Sequence, residues 1–198
     1  MKKIICVFVL LIMCFSIVSC GQSEVKVPDG MKQASESTDL FYLFVPANWT
    51  YSRGHNMPYA YVSESDTSNV SVVLYMINES EITTSGTTAI LPNEETAAQT
   101  NPREPYIDHF WSEFDKNAVL SYGESFGLIE ESDAVLDGLY AKQFVYSEKT
   151  GGQTYKHLAV VTYYGGMIVC FTYTSTEKNY DSHLSEVNLM LKEFKFKK

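Results

Sequence analysis

His109 and Glu113 stand four residues apart in DHFWSEF, a spacing that puts both on one face of a helix, with Asp108 beside them. Such a pair can share a metal ion. Zinc takes three or four protein ligands, and no HxxH or CxxC pattern elsewhere supplies the others. A solvated helix face with a His–Glu contact is therefore expected, and no metal. Cys170 lies in MIVCFTY, where Met167, Val169 and Phe171 alternate with Ile168 and Cys170. A nucleophilic thiol needs a base and an electropositive setting, and neither is visible nearby. A buried, inert cysteine is expected. The stretch TYSRGHNMPYAY gathers Tyr, Arg and His around Gly54 and Pro58. With Trp49 just before it, Trp49, Tyr51, Arg53, His55 and Tyr59 form a candidate binding surface, because Tyr, Trp and Arg dominate such surfaces. The same residues also suit the edge of an aromatic core. There is no G-x-S-x-G elbow and no phosphate loop. No catalytic residue and no cofactor is expected.

Cys20 carries chemistry of another kind. The chain opens MKKIICVFVLLIMCFSIVSC, with Lys2 and Lys3 ahead of an apolar run from Ile4 to Ile17. That run is short for a bilayer, which takes roughly 20 apolar residues, and suits a secretory h-region. Ile17-Val18-Ser19-Cys20 resembles the lipobox of bacterial lipoprotein precursors. The resemblance implies that the Cys20 thiol takes a diacylglyceryl group as a thioether and that a peptidase cuts after the small Ser19. Residues 1–19 are then a signal peptide, and Cys20 is the anchored first residue of an extracytoplasmic protein held on the bacterial cell membrane.

Removing residues 1–19 takes Lys2 and Lys3 away, leaving 13 basic against 24 acidic residues, a net charge of −11. An acidic surface opposes nucleic acid and anionic lipid. Cys6 and Cys14 go with the signal and Cys20 is consumed by lipid, so Cys170 has no disulfide partner and the fold must rest on its core.

Residues 20–38 are polar, with Gly and Pro, and read as a flexible tether to a domain over 39–198. Strands are expected at Leu40–Val45, Tyr59–Val62 and Val70–Ile77, the last buried on both faces. Residues 78–104 lose periodicity and read as a long loop in which Ala89-Ile90-Leu91 touches the core. Pro105 opens a helix whose stripe is Tyr106, Ile107, Phe110, Trp111 and Phe114, ending near Asn117. Then come strands at Tyr122–Glu130, Leu139–Ser147, Thr154–Tyr163 and Met167–Thr174, with turns at Asp137-Gly138, Lys149–Gly152 and Gly165-Gly166. A helix over Tyr180–Lys192, capped by Ser175 or Thr176, precedes a short Phe194-Lys195-Phe196 strand. Clustered strands with two helices argue α+β with a mainly antiparallel sheet.

FYLFVPANW, the polar insertion before a helix, the glycine-turned hairpins of GLYAKQFVYSEKTGGQTYKHLAVVTYYGGMIVCFTYTST and the Phe-x-Phe ending resemble the PsbP/Mog1-like family over residues 38–197. That resemblance implies an α/β/α sandwich around a central antiparallel sheet. It also implies a non-catalytic assembly or binding module. The expected function is a lipid-anchored binding or assembly module with a protein or small-ligand partner and no nucleic acid. The competing functions are a hydrolase or metal-dependent enzyme of the cell envelope and a small solute-binding lipoprotein. Length weighs against the last, because two-lobed binding proteins use more chain.

Overall fold

A computed structural model describes residues 25–54, 57–78, 80, 82 and 101–198. Cys20, His55 and the Ala89-Ile90-Leu91 stretch lie outside the described residues. Among the described residues no helix is long and apolar enough to cross a membrane.

The frame is a seven-stranded antiparallel sheet. Its strands are β4 (Thr50–Gly54), β5 (Met57–Ser63), β6 (Asp66–Met76), β7 (Gly127–Leu136), β8 (Leu139–Thr150), β9 (Gln153–Tyr164) and β10 (Met167–Thr176). They lie in the order β4-β5-β6-β10-β9-β8-β7. The hairpins β8–β9 and β9–β10 turn on Gly151-Gly152 and Gly165-Gly166, all four with positive φ, which glycine adopts without a Cβ clash. Among the described residues, two long helices cover the sheet, one on each face. Helix α1 (Glu104–Tyr122) lies against β8, β9 and β10, and helix α2 (Leu184–Glu193) packs on the N-terminal strand β3 (Phe44–Pro46) of the opposite layer. The class is α+β, with the helix–sheet–helix layering and central antiparallel sheet expected.

Strand alternation sorts the core into two parts. Val70, Val72, Val160, Val169, Phe171 and Tyr173 face α2 and the N-terminal segment. Phe144, Tyr146, Ala159, Val161, Ile168 and Cys170 face α1, whose Ile107 and Trp111 close over them. The Trp111 and Phe144 rings stack at 3.8 Å and 5°.

Several boundaries differ from those the sequence suggests. Helix α1 runs five residues past Asn117, and the chain then makes a short 3₁₀ turn at Gly123–Ser125. Gly123, at φ 59°, returns its N–H to the Val119 carbonyl and ends the helix. The expected strand from Tyr122 therefore starts at Gly127. Strand β6 is not buried on both faces: Ser68, Val70 and Val72 are buried, while Asn69, Ser71 and Val73, which alternate with them, are half-buried, and Met76 is 92% exposed. The Leu40–Val45 strand is two short ones. β2 (Phe41–Tyr42) pairs with the C-terminal β11 (Lys195–Phe196), while β3 pairs with β1 (Met31–Gln33). Leu43 sits at the change of direction, fully buried, its N–H donated to Ser35 Oγ. Because β1 is in register with β3, and Met31 and Ala34 are buried, the expected tether through residue 38 is folded from residue 31 onward. The second helix begins as a 3₁₀ turn at Tyr180–His183. Ser175 and Thr176 are buried at the end of β10 and do not cap it.

Candidate functional site

Within TYSRGHNMPYAY, Thr50–Gly54 and Met57–Tyr61 pair antiparallel, with Thr50 opposite Tyr61 and Arg53 opposite Pro58. Alternation then divides their aromatic and charged residues between two faces. Tyr51 and Arg53 point to the α2 side with Ala60, while Tyr59 and Tyr61 lie on the other side, their ring centroids 5.7 Å apart. Burial raises the Tyr59 hydroxyl, with the neighbouring Tyr61 adding to the effect. Arg53 reaches back to the N-terminal segment. Its Nη1 and Nη2 donate to Asp39 Oδ2 and Oδ1 at 3.0 and 2.8 Å, a bidentate fork. Burial pushes Asp39 up, but the Arg53 fork and the Glu36 N–H outweigh it and hold the carboxyl below its usual range. Beside this clamp opens a cavity of about 390 Å³ between Thr38-Asp39 and Met57-Pro58, backed by Val72 and Leu74.

Trp49 is not on that surface. It is 1% exposed, and its indole Nε1 donates to Glu186 Oε2 at 3.2 Å. A bulky apolar body with one polar edge suits a buried position provided that edge finds a partner. The partner belongs to a cluster under α2. His183 Nδ1 lies 2.8 Å from Glu186 Oε2, and its Nε2 lies 3.1 Å from Asp66 Oδ2. Burial lowers His183, yet the two carboxylate contacts prevail and its pKa is raised. Burial likewise raises Asp66, but Ser68 and His183 bring it down to about 2. The arrangement sets the His183 ring between two carboxylates, which favour its protonated form.

The remaining sequence candidates are turned to different partners, although His109 still acts electrostatically on Glu113. Glu113 pairs with Lys116 at 2.7 Å on open surface. Asp108 turns to Lys142 Nζ at 2.6 Å, where Glu131 (3.0 Å) and Glu104 (3.7 Å) also converge. That network, from α1 and β7 onto β8, raises Lys142 despite its burial. Among the described residues no three His, Cys, Asp or Glu side chains are grouped to hold a metal. Cys170 is buried, and burial pushes its thiol up to about 11, the setting of an inert thiol.

The polar site that sequence reasoning missed is His157, on β9 under the C-terminal half of α1. Only 8% exposed, it stacks on Tyr146 at 4.5 Å and 7°. Its Nδ1 is 2.9 Å from Thr174 Oγ1, while its Nε2 is buried without a hydrogen-bond partner among the described residues. The nearest carboxylate oxygen, Glu148 Oε1, is 3.9 Å from Nε2, beyond hydrogen-bond reach. Burial lowers the imidazole to about 4, so it is neutral at pH 7. Both side chains line a cavity of about 300 Å³ walled by Phe114, Ala118, Phe126 and Tyr146. The only local sign was a histidine amid the apolar run of YKHLAVV. Its partners come from β8 and β10, which register brings alongside.

A family model described as PsbP matches residues 29–196. Among solved structures, the cyanobacterial PsbP of Synechocystis sp. PCC 6803 superposes with a TM-score of 0.55 at 16% identity, covering 91% of this chain and 99% of that one. LpqN of Mycobacterium tuberculosis, a protein involved in cell envelope biogenesis, gives 0.51 at 14% identity, covering 85% and 92%. The Ran-binding protein Mog1p of Saccharomyces cerevisiae gives 0.49 at 11% identity, covering 84% and 95%. At these identities the first two likenesses bear on the fold alone. No curated protein matches the sequence.

Proposed function

The chain belongs to the PsbP family, and on that premise we propose that it is a lipid-anchored, extracytoplasmic, non-catalytic binding or assembly module. The observation that carries the binding role is the β4–β5 strand pair. Its Arg53 is fixed on Asp39, its tyrosine pair lies on the other face, and a cavity of about 390 Å³ lies at the base of the clamp. A surface locked before the partner arrives loses little conformational entropy on binding. The envelope role of LpqN and its similar fold support an extracytoplasmic setting. The Ile17-Val18-Ser19-Cys20 pattern supports the anchor, and a diacylglyceryl group brings two acyl chains, the number stable anchoring takes. The partner is a protein or a small ligand, and the acidic balance of the chain weighs against nucleic acid.

Cross-linking in the native host followed by affinity purification tests the surface. The full chain captures a defined partner that Tyr59→Asp and Tyr61→Asp, both on the partly exposed tyrosine face, lose while keeping the wild-type thermal midpoint. Equal capture by both variants refutes this surface. The anchor has a separate test: Cys20→Ser abolishes metabolic labelling by a fatty acid, and retained labelling refutes it.

A further inference from the structure

The cavity beneath the C-terminal half of α1 belongs to neither the β4–β5 surface nor the anchor, and its chemistry is specific. Phe114, Phe126, Tyr146 and the Ala118 methyl give it aromatic and apolar walls. Asn117 and Ser121 also line it, but the Asn117 amide donates to the Glu113 carbonyl and the Ser121 hydroxyl to the Asn117 carbonyl. Both donors are thus turned onto the helix. The polar groups left for a ligand are Glu148 and His157. No Lys or Arg is among the lining residues. Tyr122 hydrogen-bonds to Glu148, which raises the Tyr122 hydroxyl. A carboxylate has about four lone-pair sites, so further donors can be accepted.

We infer that this pocket takes a small organic amine, bound as its ammonium form with an aromatic or apolar substituent. The ammonium N–H groups donate to Glu148 and to His157 Nε2. The substituent lies against Phe114, Phe126 and Tyr146. Three observations select this class. First, Glu148 Oε1 and His157 Nε2 lie 3.9 Å apart, and the buried Nε2 has no hydrogen-bond partner among the described residues. In the tautomer whose proton sits on Nδ1 and is donated to Thr174 Oγ1, both are acceptors, and a bridging N–H donor satisfies both. Second, the ring cluster around Tyr146, with Phe114 at 5.4 Å and Phe126 at 5.6 Å, attracts cations through ring quadrupoles. Third, the Glu148 side chain and a chain of net charge −9 disfavour an anion, and no Lys or Arg lines the pocket to offset them. A metal ion fits poorly, because two protein ligands fall short of the three or four that zinc takes.

The test is a titration of the full-length chain, purified in mild detergent, with benzylamine, benzyl alcohol and benzoate at neutral pH. The readouts are the Ala118 methyl and the Phe114 and Tyr146 ring resonances in NMR spectra. Benzylamine is expected to give saturable shifts at these groups, at least about tenfold tighter than benzyl alcohol, with benzoate inert. Glu148→Gln, which keeps the size and polarity of the side chain, is expected to weaken benzylamine by about tenfold or more at an unchanged thermal midpoint. Flat titrations overturn the proposal and leave a bridging water as the occupant. Equal affinity for the alcohol, binding of benzoate, or an unaffected Glu148→Gln variant overturns the assignment of an amine.

Discussion

His183 and His157 lie on opposite faces of the sheet and are used in opposite senses. On the α2 face, His183 lies between Asp66 and Glu186 and is stabilised as a cation. On the α1 face, His157 is stacked on Tyr146, has no carboxylate within hydrogen-bond reach and is held neutral. The residue type is the same, and packing sets the charge. Where the sheet meets a polar helix start, carboxylates arrive with the histidine. Where it meets the aromatic stripe of α1, desolvation dominates.

The strongest way to break this comparison is to open the α1 face. Trp111 stacks on Phe144 and touches Phe114 and Tyr146. Trp111→Ala is expected to destabilise the fold by about 3–5 kcal/mol, read from urea unfolding followed by circular dichroism. A single shifted transition is expected, because the sheet is common to both cores. Separate transitions would mean that the two faces melt independently.

The second effect is acid sensitivity from His157. Its folded pKa, about 4, lies below the unfolded value of 6.5. The unfolded chain therefore binds the proton first, and stability present above pH 6.5 is lost as the pH falls through about 4. Over that window the loss is roughly 3 kcal/mol, an order-of-magnitude figure from the size of the shift. His157→Gln, which retains a polar partner for Thr174, is expected to flatten the unfolding midpoint between pH 6.5 and 4. An unchanged slope would show the imidazole is free to charge in place.

The smallest effect sharpens the contrast because its sign is reversed. His183 is raised, so its contribution is fully present below pH 6.5 and fades as the pH rises through the folded pKa. Asp66, held down to about 2, keeps one carboxylate partner ionised through most of the acid range. His183→Gln is expected to cost about 1–2 kcal/mol in mild acid, discounted for the partial exposure of Glu186. In alkali the cost should vanish. A pH-independent loss would instead point to packing against Trp49, whose ring lies edge-on at 5.8 Å.

What the sequence disclosed follows the same division. Strands β8, β9 and β10 were legible because their alternation is regular and glycine pairs mark the turns between them. The stripe of α1 was legible for the same reason, while its C-terminal end was not. Val119 and Leu120 are exposed apolar residues off the stripe, and Gly123 rather than Asn117 stops the helix. Strand β4 was hidden by its polar, Arg-containing sequence, since its partner in the sheet supplies the pairing. Arg53 was picked out, but its partner Asp39 was not, because a fork across 14 residues of chain is tertiary. Trp49 looked like a surface anchor for want of any local sign of Glu186, 137 residues away. His157 and Glu148 could not be paired before the register of β8 and β9 was known.

The ribbon of β2 and β11 gives this fold a timetable. Phe41 pairs with Phe196, and the Lys197 ammonium donates to the Glu36 carbonyl across 161 residues of chain. Contacts so distant in sequence form only after the intervening loop has closed, which slows folding and places the step late. During synthesis the β2 strand has no partner until Lys195 and Phe196 have been made. Until then Phe41 lacks the stacking of Phe194, and the layer beneath α2 cannot be sealed.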